Sequence, residues 1–286
     1  MKHETIIDML HITTLVYNYN EKMSNKTTVD EFTDLFGADI QFVELLNKYP
    51  KGRIISFITD LETDVQVGVT INYVSKRICV AFRGTDSLKD WYYNLQIKKY
   101  CIKGDIRVHK GYCSQLFMSN LYHRLSNQIQ QLLHVNPEYK LFITGHSAGG
   151  ALATLFGYLL SSEMPKKEIN IVSFASPRIG NYEFKRDFEN KPNLIHHRVT
   201  NRNDIITATP IFRYWHVGRK VYIRSKKTSL CCCLNVWDHT TDAYYKNLLD
   251  FIEPTVLCDS SIPFGHDTAY NYQPFYKTIP VRALSV

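Results

Sequence analysis

Apolar positions near the start of the chain recur at helical spacing. Ile6, Leu10, Thr13 or Thr14, and Tyr17 fall one turn apart and predict an amphipathic helix over residues 5–17. Phe42, Leu45 and Leu46 suggest a second helix that ends before Tyr49-Pro50. The texture then changes. Ile54–Ile58, Val65–Val74 and Arg77–Phe82 are short and rich in β-branched residues, which reads as three strands. From His109 to Val135 the spacing of Leu116, Leu121, Leu125, Ile129, Leu132 and Leu133 predicts helix, stopping at Asn136-Pro137. Leu141–Ile143 reads as strand and Ala148–Leu160 as helix. Ile169–Phe174 reads as strand, Tyr182–Phe188 as short helix, and Ile195–Val199 and Val217–Ile223 as further strands. Strands alternating with helices from residue 54 onward are the signature of a mostly parallel central sheet with helices on both faces. No proline- or glycine-rich gap divides the pattern. A single domain over residues 1–286 is expected, with an N-terminal helical segment (1–40) and a C-terminal extension (255–286).

Composition narrows the class without choosing a function. Hydrophobic residues are 44% and charged residues 21% of the 286, which excludes a disordered, collagen-like or coiled-coil chain. The net charge of +7 favours approach to anionic surfaces, phospholipid among them, and does not imply nucleic acid. Leu152–Leu160 is far shorter than the roughly 18 residues of a membrane span. No apolar leader core follows the N-terminal Met-Lys-His-Glu, so the expectation is a cytoplasmic protein or one peripheral to membranes. The seven cysteines are read as mostly reduced thiols: Cys79, Cys101, Cys113 and Cys258 stand alone, and Cys231, Cys232 and Cys233 are consecutive.

The strongest local signal is Gly145-His146-Ser147-Ala148-Gly149-Gly150. It follows a predicted strand and opens a helix of small residues, as a nucleophile elbow requires. A serine on such a turn points its hydroxyl outward at the carboxyl edge of the sheet. The helix N-terminus behind it offers unpaired N–H groups to a developing oxyanion. Serine needs a general base and the base an orienting acid, in the chain order Ser, Asp or Glu, His. Asp204 lies downstream in a loop just after the strand ending at Val199, at the same sheet edge. A carboxylate there serves equally as a loop cap.

Taken together, Val80–Leu95, His109–Tyr112, Ile143–Ala153, Phe174–Asn181 and Arg198–Asp204 follow in the order and spacing of the class 3 lipases, and the chain resembles that family from about residue 40 to about residue 250. The resemblance implies an α/β-hydrolase fold, no cofactor and no metal, and hydrolysis of acylglycerols or related lipids at a lipid–water interface, with contact at a membrane periphery. It makes Asp204 the orienting acid. It makes Thr85 the residue supplying the first oxyanion donor, and the Ala148 backbone N–H the second. His146 adjoins the nucleophile, where neighbouring side chains diverge, and is expected to be structural. His216 looks like a strand entry. His239, in an Asp-His segment ahead of Tyr244 and a closing helix, is favoured as the base. His266 is the alternative, lying nearer the chain end as the base of fungal relatives does.

The stretch Asp86–Tyr100 sets Leu88, Trp91, Tyr92 and Leu95 at helical spacing, among Lys89, Asp90, Lys98 and Lys99. By resemblance this is a short helical lid that opens at lipid; a helix permanently packed on the core is the other reading. Between Ile205 and Trp237 the only charged residues are basic: Arg213, Arg219, Lys220, Arg224, Lys226 and Lys227. With the cysteine run beside them they suit contact with anionic lipid or S-acylation, but a solvated strand face with loop thiols is the preferred reading. The function expected is that of a serine ester hydrolase cleaving acyl esters of glycerolipids. An esterase or phospholipase on other acyl esters, or a lipid-binding homologue without turnover, are the alternatives.

Overall fold

The computed structural model describes residues 1–18, 52–60, 62–84, 98–223 and 237–250. Seven strands form the main sheet: β1 (Gly52–Asp60), β2 (Val65–Asn72), β3 (Arg77–Phe82), β6 (Lys140–His146), β7 (Ile169–Phe174), β8 (Leu194–Asn201) and β9 (Arg219–Ile223), in the spatial order β1-β2-β3-β6-β7-β8-β9. The first two pairings are antiparallel, and β3, β6, β7, β8 and β9 run parallel. A separate two-stranded hairpin joins β4 (Lys99–Lys103) to β5 (Ile106–His109). The helices are α1 (His3–Asn18), α2 (Lys110–Phe117), α3 (Leu121–Val135), α4 (Ala148–Glu163), α5 (Tyr182–Glu189) and α6 (Thr241–Leu249), with 3₁₀ turns at Ile206–Ala208 and Trp237–His239.

Successive side chains on a strand point to opposite faces, so a strand buried on both sides carries apolar residues toward both. β6 does this: Leu141 and Ile143 face a core shared with α2, α3 and α4, and Phe142 faces a second core shared with α1 and α6. β3 divides its residues in the same way, with Ile78 and Val80 on one side and Cys79 on the other. The helix expected over 5–17 is α1, and it fills this second face. Its Ile6, Met9 and Leu10 pack with Val172, Phe174, Tyr244 and Leu248. Asp8 and Arg77 form a buried ion pair at 3.0 Å, and Thr13 reaches Thr144 on β6 at 3.0 Å, which fixes the helix over the sheet.

Several boundaries differ from the sequence reading. The single helix expected over 109–135 is two, α2 and α3, broken at Met118–Asn120, where Asn120 adopts the left-handed region at φ 58°. Asparagine tolerates that conformation, and the change of direction lets both Leu116 and Leu121 be buried. Lys99 and Tyr100, at the end of the stretch that holds the lid residues, begin β4. The last strand starts at Arg219 rather than Val217, since Gly218 turns with φ +75° against the His196 ring. The helix around Phe42, the lid residues Leu88, Trp91, Tyr92 and Leu95, the cysteines 231–233 and 258, and the C-terminal extension lie outside the described residues. Cys79, Cys101 and Cys113 are free thiols, and burial raises the Cys79 thiol to about 12. No described helix is long and apolar enough to cross a membrane.

Candidate active site

β6 runs to His146 in the centre of the sheet, and α4 begins two residues later, leaving Ser147 alone on the turn. The turn is sharp: Ser147 sits at φ 58°, ψ −127°, a conformation that non-glycine residues adopt only when their surroundings impose it. Close packing imposes it here. A side chain on Gly145 would run into the backbone of Gly149, and one on Gly149 into the backbone of Phe82 and Arg83. The Ser147 amide is held by the Phe174 carbonyl of β7 at 2.9 Å. Ala148 is the first residue of α4, so its N–H has no carbonyl a turn earlier to bond within the helix.

Three side chains distant in sequence meet at this turn. His239 Nε2 lies 2.8 Å from Ser147 Oγ, and His239 Nδ1 lies 3.0 Å from each oxygen of Asp204. All three residues are buried. An ionised carboxylate only accepts, so the proton of a neutral His239 resides on Nδ1 and the lone pair of Nε2 faces the serine hydroxyl. Asp204 also accepts the Ile206 N–H at 3.0 Å and the Tyr244 O–H at 2.7 Å. Burial, with the Asp204 carboxylate next to it, pushes the Tyr244 phenol well above its ordinary pKa and keeps it a donor. The Tyr244 oxygen in turn accepts the Asn201 N–H at 3.0 Å. Asn201 donates from its side chain to the Asp238 carbonyl at 3.0 Å and accepts from Asn247 at 3.0 Å, tying the end of β8 to the turn that carries His239 and to α6.

Of the residues singled out in the sequence, Ser147, Asp204 and His239 are thus brought together, with Ala148 beside them. Thr85 and His266 lie outside the described residues. His216 is buried away from this cluster, its ring kept neutral by burial and by Arg198, Arg178 and Lys220. His146 turns from the serine and donates to the His239 carbonyl across 2.6 Å. Tyr244 and Asn201 were not singled out as site residues. The spacing of Tyr244 after His239 on the closing helix is the signal that pointed to the first, and nothing in the sequence marks the second.

The sequence model of the family described as Lipase (class 3) matches residues 79–214. This segment matches the class 3 lipase family. A lipase of Rhizopus niveus is 31% identical over 197 residues, covering 64% of this chain and 48% of the relative. A phospholipase A1-II 3 of Oryza sativa subsp. indica is 32% identical over 192 residues, covering 56% and 45%. The chain thus spans about half the length of the curated relatives it matches. Among solved structures, the Rhizomucor miehei triacylglyceride lipase superposes with a TM-score of 0.67 at 21% identity, over 82% of this chain and 92% of that one. Lipase II from Rhizopus niveus gives 0.66 at 23%, over 83% and 92%. The class 3 lipase segment here therefore carries the α/β-hydrolase fold, its mostly parallel sheet bearing the Ser147 elbow at the end of β6.

Proposed function

We propose that this protein is a carboxylic ester hydrolase of the class 3 lipase family, acting on acyl esters of glycerolipids through a Ser147–His239–Asp204 triad. The observation that carries this reading is the unbroken hydrogen-bond line from Ser147 Oγ through His239 to Asp204, at 2.8 and 3.0 Å. Ser147 Oγ attacks the acyl carbonyl as His239 Nε2 takes its proton, and Asp204 stabilises the imidazolium that forms. The Ala148 N–H and Thr85 stabilise the tetrahedral oxyanion, a donor worth typically 10²–10³ in rate. The imidazolium then gives its proton to the departing alcohol, leaving the acyl group on Ser147. Water, deprotonated by the same imidazole, attacks the acyl-enzyme and releases the fatty acid and the free serine.

The lid, built on Leu88, Trp91, Tyr92 and Leu95, covers the site in water and opens at a lipid–water interface. The relatives' names span lipase and phospholipase A1, so the substrate is a glycerolipid acyl ester and the head group is read by assay. A series of glycerides and phospholipids, each as monomer and as emulsion or vesicle, tests this. Turnover that rises when substrate aggregates supports a lipase. Turnover confined to soluble short-chain esters replaces that reading with an esterase, and lipid binding without turnover replaces it with a binding protein.

A further inference from the structure

The serine's neighbour takes no part in the hydrolytic steps above, yet its ring is fully engaged. His146 is buried, its ring centroid 4.8 Å from that of His239 and 5.8 Å from that of Tyr244. Its Nε2 lies 2.6 Å from the backbone carbonyl of His239, and a carbonyl can only accept, so Nε2 must carry a proton. Its Nδ1 lies 3.2 Å from the hydroxyl of Tyr17, near the end of α1. Burial, with His239 close by, holds the His146 ring neutral, so Nδ1 presents a lone pair and Tyr17 is the donor. Burial likewise raises the Tyr17 phenol above its ordinary pKa. The Tyr17 oxygen also meets the Gly84 amide, and Arg83 stacks on the Tyr17 ring at 5.8 Å. A side chain at Gly84 would collide with the Tyr17 hydroxyl and the His146 carbonyl, so no other residue fits there.

We infer that Tyr17 and His146 are positioning residues for the reaction: a directional chain, Gly84 N–H to Tyr17 O–H to His146 Nδ1, and His146 Nε2–H to the His239 carbonyl, braces the general base against the strand end that leads into Thr85. This rests on the hydrolase reading proposed above. Asp204 fixes the orientation of the His239 imidazole but not the position of its backbone, which sits in a single 3₁₀ turn. The carbonyl contact restrains the His239 backbone itself, beside the Asn201 bond to the neighbouring Asp238 carbonyl. The Tyr17 O–H selects the His146 tautomer that makes the contact; with the proton on Nδ1 instead, a lone pair would face the His239 carbonyl and repel it. Tyr17 lies outside the family-matched segment, so the brace recruits the N-terminal helix to the site.

The test is steady-state kinetics on a soluble short-chain ester, so that no interface enters, with thermal melting and ¹⁵N NMR of the histidine ring on the same proteins. The variants are Tyr17→Phe, His146→Leu and His146→Gln, whose amide N–H reaches the Nε2 position. Loss of the brace lets the base shift, and a misplacement of about 1 Å is enough to lower rate by about 10²-fold. The expected result is a fall in kcat of up to that size for His146→Leu, a several-fold fall for Tyr17→Phe, unchanged KM in both, and recovery of most of the rate in His146→Gln. The wild-type ring should show the Nε2-protonated tautomer, and Tyr17→Phe should weaken that preference. Folded Tyr17→Phe with wild-type kcat and an unchanged tautomer overturns the brace, as does a His146→Gln protein no faster than His146→Leu. Should His146→Leu fail to fold, Tyr17→Phe decides alone. A wild-type protein without turnover or serine labelling overturns the hydrolase reading, and this role with it.

Discussion

The hydroxyl of Tyr244 donates to Asp204 across 2.7 Å and accepts from the Asn201 amide across 3.0 Å, so a residue of the closing helix holds the carboxylate at the end of β8. Tyr244→Phe removes both bonds and leaves the ring in its apolar packing. Hydrogen bonds to charged groups contribute about 1.5–3 kcal/mol. The expected outcome is a kcat/KM lower by roughly tenfold, on the scale of 1.4 kcal/mol per decade, carried by kcat, with a melting temperature lower by a few degrees. Kinetics and calorimetry on the same preparation check it. An unchanged kcat would separate Tyr244 from the orientation of Asp204.

Asp204→Asn keeps the shape of the site and changes its proton arithmetic. An amide that donates toward Nδ1 drives the His239 proton to Nε2, where it faces Ser147 and removes the base. A loss of about 10⁴-fold in kcat is expected, as when the acid of such a triad is neutralised elsewhere. Combined with Ser147→Ala it should add little, because the three groups act as one unit. Additive losses in the double variant would show that Asp204 acts independently of the serine.

Acid should destabilise this protein through its histidines. Burial lowers His109 to about 4 and His197 to about 3, and it holds His146, His196 and His216 well below their usual value. These rings bind a proton in the unfolded chain near pH 6.5 but not in the folded one. The unfolded state therefore gains protons first as pH falls, and stability, complete above about 6.5, is lost progressively toward pH 3–4. Urea midpoints measured from pH 7.5 to 4.5 should fall steadily below pH 6.5, and His109→Gln should flatten the slope. A midpoint independent of pH across that window would contradict the burial of these rings.

The Asp8–Arg77 pair pins α1 to β3 with both groups nearly free of solvent. Removing one partner strands a buried charge and should cost about 3–5 kcal/mol, whereas an apolar pair of similar volume should be close to neutral. Arg77→Met alone is expected to lower the melting temperature sharply, and Asp8→Leu with Arg77→Met to restore most of it. Because α1 also carries Tyr17, the single variant should lose rate along with stability.

How far the chain could be read in advance follows from the kind of signal each element carries. The strands Arg77–Phe82 and Ile169–Phe174 agree with the structure residue for residue, because a strand buried on both faces carries a dense apolar run, here Ile78–Phe82 and Ile169, Ile171, Val172 and Phe174. The elbow was legible because glycines 145 and 149 are demanded by local backbone contact. The break at Asn120 was not, since the leucines on either side keep helical spacing while the chain changes direction. The β4–β5 hairpin escaped for a different reason: β4 is largely exposed and β5 buries only Val108 and His109, so neither carries an alternation strong enough to mark a strand. Asp204 was readable as a carboxylate in a loop just after a strand, and His239 through the resemblance to the class 3 lipases, with His266 as its alternative. That the two meet depends on tertiary contacts through Asn201, Tyr244 and His146, which no local pattern encodes.

The claim on which the rest depends is that Ser147 is a nucleophile made reactive by His239. Fluorophosphonate labelling of the intact protein, with the modified residue located by mass spectrometry, tests it most directly. One phosphonyl group on Ser147, absent in Ser147→Ala and slowed by orders of magnitude in His239→Ala but not in His266→Ala, is the expected result. Folded, detergent-treated protein that takes no label at Ser147, or whose labelling depends on His266 and not on His239, would contradict it.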